Sequence, residues 1–150
     1  MPELKRSAWV ALVAALAATP VLAQTSNFGS MKLAPGFSNS AATAQGFTSG
    51  SFSLASIANR DRNNNLCLGY AGDRDVPDHV MTLEQSFSRL TVQANSRGNK
   101  PTLLIRGPGN VVRCGEIRIE DTQWGPGDYA IWVGSAASGQ KFNYTLAVRE

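Results

Sequence analysis

The sequence is poor in residues that carry catalysis, with one histidine and two cysteines among its 150 residues. Any serine or cysteine triad would need His79 as its base, and the chain lacks the G-x-S-x-G motif of α/β-hydrolases. His79 follows Asp78 at the start of a predicted strand, which favours a surface histidine paired with that aspartate. Hydrolysis through His79 is therefore the weakest functional hypothesis, and we expect a protein that is not an enzyme.

The sequence also lacks a long hydrophobic run and a cluster of basic residues. Its apolar run, residues 10–18, is shorter than the roughly 20 residues that span a bilayer. The formal net charge is only +3, and the lysines and arginines are scattered along the chain. We therefore expect no nucleic-acid partner and no membrane-embedded segment in the mature protein.

The first 23 residues have the pattern of a secretory signal peptide. Lys5 and Arg6 precede the apolar run, and residues 21–23 (VLA) are small or aliphatic, as signal peptidase requires before a cleavage point at Gln24. The alanine-rich run is of the bacterial type. The sequence therefore predicts an exported protein, periplasmic or secreted.

The mature chain begins with a segment of low hydrophobicity, residues 24–46. It is rich in serine, alanine, glycine, asparagine and threonine, and it has few large apolar groups that could offset the entropy of ordering it. We predict a flexible leader over 24–46 and a single folded domain over 47–150. We also expect this domain to be a monomer.

Cys67 and Cys114 are the only cysteines of the chain. An even number of cysteines in an exported protein indicates a disulfide, and closing a loop of this length contributes about 4 kcal/mol. A metal site is the alternative, but such sites need three or four ligands and His79 is the only histidine. The sequence favours the disulfide.

Beyond residue 47 the sequence reads as short strands separated by turns. Residues 142–149 alternate, with Phe142, Tyr144, Leu146 and Val148 on one face, and similar segments recur along the chain. Glycine, proline and asparagine mark the turns, about ten residues apart. We therefore predict an all-β fold, an antiparallel sandwich or barrel of about seven or eight strands.

One polar loop has oxygen donors at alternate positions, Asp61, Asn63 and Asn65, like the beginning of an EF-hand loop. The sixth position of that motif is Leu66 instead of glycine, and the twelfth is Gly72 instead of glutamate. The EF-hand motif therefore fails, and a solvated turn with Asx hydrogen bonds is the interpretation we favour. We expect no cofactor, and the sequence does not decide whether this loop binds calcium.

The stretch DTQWGPGDYAIWVGS, residues 121–135, holds two tryptophans around a Gly-Pro-Gly turn. Tyr129, Ile131 and Val133 share one face of a predicted strand and should fill the core. Trp132 lies on the opposite face, either exposed or beneath a loop, and Trp124 precedes the turn. These two tryptophans are the candidate ligand-binding residues, although packing is the commoner role of such rings.

Several of these segments together resemble the bacterial pre-peptidase C-terminal domain. The motifs are LTVQANS, TLLIRGP, PGDYAIWV and YTLAV, which begin at Leu90, Thr102, Pro126 and Tyr144. The resemblance covers roughly residues 66–149 and implies a jelly-roll-like β-sandwich. The chain departs from the family pattern where the loop after Cys114, which often holds acidic calcium ligands, is shortened to GEIRIED.

The resemblance implies an accessory domain, because these domains usually follow secreted proteases and other exoenzymes. Here only the short leader precedes the predicted domain. Our first hypothesis is a non-catalytic exported module that recognises an extracellular or envelope polymer, protein or polysaccharide. It would do so through one sheet face or through loops near Trp124 and Trp132. The alternative is a structural or chaperone-like partner that docks to a separate secreted exoenzyme such as a protease.

Overall fold

The computed structural model describes residues 25–150, whose regular secondary structure is almost entirely β. The predicted signal peptide, residues 1–23, lies outside the described residues. The strands are β1 (Ser30–Leu33), β2 (Thr43–Thr48), β3 (Phe52–Ser53), β4 (Tyr70–Ala71), β5 (His79–Leu83), β6 (Phe87–Asn95), β7 (Pro101–Arg106), β8 (Val112–Glu116), β9 (Arg118–Trp124), β10 (Gly127–Ser135) and β11 (Phe142–Arg149). Two 3₁₀ helices, Leu54–Ser56 and Pro108–Asn110, interrupt them. In this part of the chain no helix has the length and apolarity needed to cross a membrane.

The strands form two sheets that pack as a sandwich. In the seven-stranded sheet β10 is central: β7 pairs with one of its edges, while β5 and β4 share the other. Strands β1, β3 and β8 extend this sheet outward, and the four-stranded sheet has the order β2-β11-β6-β9. The predicted all-β sandwich is confirmed. The structure has more strands than the predicted seven or eight, because β3 and β4 are too short to alternate visibly.

The structure corrects the prediction of a flexible leader over 24–46. Strand β1 pairs in parallel with β5, and Met31 and Leu33 are buried. Strand β2 pairs with β11, so the predicted domain boundary at residue 47 falls inside a strand. Amino-acid composition underestimates the tendency of such a segment to become ordered, because the edge of an existing sheet supplies backbone hydrogen bonds that the isolated segment does not have.

The main core lies between the two sheets and follows the alternation read from the sequence. Tyr129, Ile131 and Val133 of β10 are buried there, as predicted. On β11 the inward side chains include Tyr144 and Leu146, while the intervening residues face outward. The period of two residues therefore identifies the inner faces correctly.

A second apolar cluster covers the outer face of the seven-stranded sheet. Trp132 of β10 and Leu104 of β7 pack there against Leu54 of the first 3₁₀ helix. The predicted disulfide between Cys67 and Cys114 is confirmed, and it ties the end of this covering segment to β8. The loop between β3 and β4 is thus part of the folded domain.

Candidate functional site

The two tryptophans proposed as ligand contacts are both buried. The ring of Trp124 packs against the Arg113 guanidinium, 4.0 Å from its centroid, and its Nε1 donates to the carbonyl of Asp121 at 2.9 Å. Trp132 lies beneath the loop that follows β3. A binding platform requires exposed rings, so the prediction of ligand contact at Trp124 and Trp132 is corrected to a packing role.

The polar loop at Asp61 is a turn built around one carboxylate. Its Oδ1 accepts the backbone N–H groups of Asn63 and Asn65, each at 2.9 Å, and its Oδ2 accepts that of Cys114 at 3.3 Å. Burial raises the pKa of Asp61, but these hydrogen bonds outweigh it and hold the pKa below its ordinary value. This is the Asx-stabilised turn that we favoured from the sequence.

The same turn borders a cavity of about 170 Å³ that Asn63, Asn65 and Asp121 also line. The guanidinium groups of Arg113 and Arg118 lie in this lining too and oppose the attraction of a cation by the carboxylates of Asp61, Glu120 and Asp121. Among residues 25–150, no group of three or more His, Cys, Asp or Glu side chains is placed to hold a metal ion. Calcium binding by Asp61, Asn63 and Asn65 stays a prediction.

We expect Asp61→Ala to lower the free energy of unfolding by about 2 kcal/mol, because three backbone donors lose a charged acceptor. Urea denaturation measures this, with Asn63→Ala as the control, since the Asn63 side chain makes no hydrogen bond to the described residues. A loss below about 0.5 kcal/mol would contradict the structural role. A rise in Tm on adding calcium, present in wild type and absent in Asp61→Ala, would support the metal prediction.

His79 and Asp78 do not form the surface pair predicted from the sequence. His79 is fully buried, and its Nε2 lies 2.9 Å from the hydroxyl of Tyr144 on the opposite sheet. The carboxylate of Asp78 instead accepts the backbone N–H of Val133 at 2.8 Å and the side-chain amide of Asn27 at 3.3 Å. With His79 enclosed in the core, the two residues have no shared access to a substrate.

The position of Asp78 follows from a gap in the seven-stranded sheet. Along one edge of β10, pairing with β5 ends at Ile131 and pairing with β4 occurs at Ser135. The N–H of Val133 lies between them, and the Asp78 carboxylate satisfies it. Burial raises the pKa of Asp78 to about 6, against the opposing effect of these hydrogen bonds, and burial lowers that of His79 to about 4.

A cavity of about 710 Å³ lies at one end of the four-stranded sheet. We call it the sheet groove; its lining includes Gln45 and Phe47 of β2, Asn143 and Thr145 of β11, Asn95 of β6, and Arg97 of the loop after β6. The strand register brings these side chains together, because Asn143 is opposite Phe47, and Thr145 is opposite both Gln45 and Asn95. Directly opposite residues on paired strands share a face, so this set forms one surface.

The chemistry of the sheet groove is polar with one exposed aromatic ring. Phe47 is 52% exposed, and its ring lies 4.8 Å from that of Phe28. The side chains of Gln45, Asn143 and Arg97 make no hydrogen bond to the residues that the structure describes, so their polar groups are free for a ligand. The lining residues include no carboxylate. The groove can therefore hydrogen-bond a polar ligand and cover one apolar part of it.

Gly46 allows the edge of the groove to close tightly. A Cβ atom at this position would lie 2.3 Å from the hydroxyl of Tyr144 and 2.9 Å from the ring of Phe28. Phe28 is itself held by its backbone N–H, which donates to the carbonyl of Asp78 at 2.8 Å. Sequence reasoning missed this site because its residues are spread over three strands and a segment assigned to the leader. The alternate positions Gln45 and Phe47 were the available signal.

No family model matches the sequence, and no curated protein matches it significantly. Two solved structures are similar. The periplasmic inhibitor of g-type lysozyme from Aeromonas hydrophila, PliG, is 18% identical, with 80% of this chain and 96% of that one covered and a TM-score of 0.42. The other is 15% identical, with coverages of 80% and 94% and a TM-score of 0.45. It is the pre-peptidase C-terminal domain of collagenase from Bacillus anthracis, and so belongs to the family that the sequence motifs resemble.

Proposed function

We propose that the protein is a non-catalytic exported binding module that recognises an extracellular or envelope polymer through the sheet groove. The observation that carries this proposal is the half-exposed Phe47 beside the unbonded amides of Gln45 and Asn143. Such a ring buries a large apolar area at low entropic cost, while amide groups fix the orientation of a ligand. The Cys67–Cys114 disulfide supports export, because such bonds persist in oxidising compartments.

The shape and charge of the sheet groove suit a polymer. The groove is lined by residues of β2, β11 and β6, so an extended chain, peptide or glycan, can lie across these three strands. Amides offer both donors and acceptors, which match the hydroxyl groups of sugars and the backbone of an extended peptide equally well. Arg97 adds a positive charge, so we expect neutral or acidic polymers to be preferred.

Phe47→Ala should weaken binding of the polymer at least tenfold, because it removes the apolar contact at the edge of the groove. The matched control is Phe52→Ala, since Phe52 is 51% exposed but belongs to the other sheet. Affinity electrophoresis with soluble glycans and calorimetry with collagen-type peptides measure the change. Equal loss in both variants, or a ligand that binds both as tightly as wild type, would remove the sheet groove from the binding site.

A second candidate function is docking to a separate secreted exoenzyme, and the free edge of β2 favours it. The N–H of Val148 donates to the carbonyl of Ala42, so by alternation the backbone groups of Thr43 and Gln45 point to the open edge. Strand β2 has no charged residue that would oppose pairing with another strand, whereas the edge strand β1 carries Lys32. An unguarded edge can accept a strand from a partner. Co-elution with a purified exoprotease, abolished in Thr43→Lys but retained in Phe47→Ala, would support this function over the first, because Thr43 lies on the free edge and outside the lining of the sheet groove.

A further inference from the structure

A second cavity of about 420 Å³ shares no lining residue with the sheet groove. We call it the arginine cavity; its lining includes Arg62, Arg113, Gln123, Val111, Pro108 and Tyr129. Strand β8 supplies Arg113, and the loop after the first 3₁₀ helix supplies Arg62. Gln123 precedes the turn into β10 with a φ of 60°. Residues distant in the sequence thus converge on one cavity.

Arg113 is held rigidly in the wall of this cavity. Its side chain is 3% exposed, and the guanidinium stacks on the ring of Trp124. Its Nε donates to Asp121 at 2.8 Å, and its Nη2 donates to the carbonyls of Thr122 and Gln123 at 3.1 Å. Its Nη1 makes no hydrogen bond to residues 25–150. One donor of an almost fully buried guanidinium is therefore left for a ligand.

Two guanidinium groups share a single carboxylate here. Besides Arg113, Arg62 lies with its Nη1 3.5 Å from Asp121 and donates from the same atom to the carbonyl of Thr122 at 3.2 Å, while its Nη2 donates to the Oε1 of Gln123 at 2.9 Å. The lining of the cavity adds no further acidic side chain. The two arginines and the carboxylate that they share thus carry one surplus positive charge, and pairing with an anion is stronger in a partly enclosed site than in water.

The remaining groups select the kind of anion. A single surplus charge matches a monovalent carboxylate better than a phosphate dianion, and guanidinium and carboxylate are matched in plane and charge. Val111 and Pro108 give the cavity an apolar rim. The Tyr129 hydroxyl already donates a hydrogen bond to the carbonyl of Gly125 at 2.8 Å, so it does not donate to the ligand. The Nε2 of Gln123 makes no hydrogen bond to the described residues and can donate to a peptide carbonyl.

We propose that the arginine cavity binds the C-terminal carboxylate of a polypeptide whose last residue is apolar. The carboxylate pairs with Arg62 and with the Nη1 of Arg113, and the apolar side chain lies against Val111 and Pro108. Trp124 serves the site indirectly, because it fixes the Arg113 guanidinium instead of contacting the ligand. This site is independent of the sheet groove and adds a protein partner to the function proposed above.

The test is calorimetric titration of the full mature chain with the tripeptide acetyl-Ala-Ala-Val, carrying either a free or an amidated C-terminus. We expect saturable binding of the free acid only. Arg62→Gln should weaken binding of the free-acid peptide at least tenfold, because it removes the more exposed of the two guanidinium groups that pair with the carboxylate. The matched control is Arg60→Gln: Arg60 lies in the same loop, donates to the carbonyl of Asn64, and is absent from the cavity lining.

Val111→Glu provides a second variant that keeps both arginines. It places a carboxylate on the rim, where it should occupy the cavity and abolish peptide binding while thermal unfolding remains cooperative. Absence of saturable binding to wild type, equal binding of the amidated peptide, or equal loss in Arg60→Gln overturns the proposal. Benzoate binding as tightly as the peptide also overturns it, in favour of a free organic acid. Phe47→Ala should leave the peptide affinity unchanged, so failure here is distinct from failure of the sheet groove.

Discussion

Cys67→Ala/Cys114→Ala should lower the free energy of unfolding by about 4 kcal/mol. The bond joins residues 47 positions apart, and releasing a loop of that size returns this much conformational entropy to the unfolded chain. Urea denaturation of the oxidised wild type and the double variant measures the loss. The slope of the transition should also increase, because the unfolded chain without the cross-link exposes more surface.

The same variant should loosen the cover over the outer face of the seven-stranded sheet. Cys67 ends the segment that packs Leu54 over Trp132, so without the bond this segment is held only by packing and by hydrogen bonds such as that from the N–H of Arg62 to the carbonyl of Val112. Quenching of tryptophan fluorescence by acrylamide should therefore increase below the unfolding transition, and reduced wild type should match the variant. A stability within about 1 kcal/mol of the oxidised protein would show that the cover does not depend on the disulfide.

Between pH 4 and 6.5 the stability of the wild type should be nearly constant, because two large titrations oppose each other. The folded pKa of Asp78, about 6, is above its unfolded value of 3.8, so the folded state holds more protons and loses stability as pH rises. The folded pKa of His79, about 4, is below its unfolded value of 6.5, so the folded state holds fewer protons and gains stability. Each shift amounts to about 3 kcal/mol over its range.

Single variants should separate the contributions of Asp78 and His79 to the change of the free energy of unfolding with pH. Asp78→Asn keeps an acceptor for the N–H of Val133 but removes the charge, so its stability should rise by about 3 kcal/mol relative to wild type from pH 4 to 6.5. His79→Gln keeps a partner for Tyr144, and its relative stability should fall by a similar amount. Denaturation across this pH range measures both. If neither variant changes the slope, the two groups are not buried in the folded protein.

The sequence predicts well which side chains of a strand face the core between the sheets. It predicts poorly whether the outer face of a sheet is exposed or covered. The alternation in β10 and β11 identifies Tyr129, Ile131 and Tyr144 as core residues, because a period of two depends only on neighbouring positions. Whether an outer face is exposed depends on distant segments. Trp132 is buried because residues more than sixty positions earlier fold over it, and the sequence around Trp132 does not predict this burial.

The same limit explains the errors at His79 and in the leader. The partner of His79 is Tyr144, which lies 65 residues away on the other sheet, so proximity to Asp78 in the sequence was misleading. The sheet groove depends on the register of β2 with β11, which alternation does not determine. The disulfide could be predicted because only one pairing of two cysteines exists.

The position of β10 at the centre of its sheet has a consequence for biogenesis. Strands β5, β4 and β7 are all synthesised before β10, yet each of them has one edge whose hydrogen-bond partner is β10. Strands β2 and β6 likewise each have an edge that pairs with β11, which follows both of them in the sequence. A nascent chain that has not reached Gly127 therefore lacks the middle of both sheets. Any factor that acts on the chain before residue 142 is synthesised would therefore meet a polypeptide in which neither sheet can be completed.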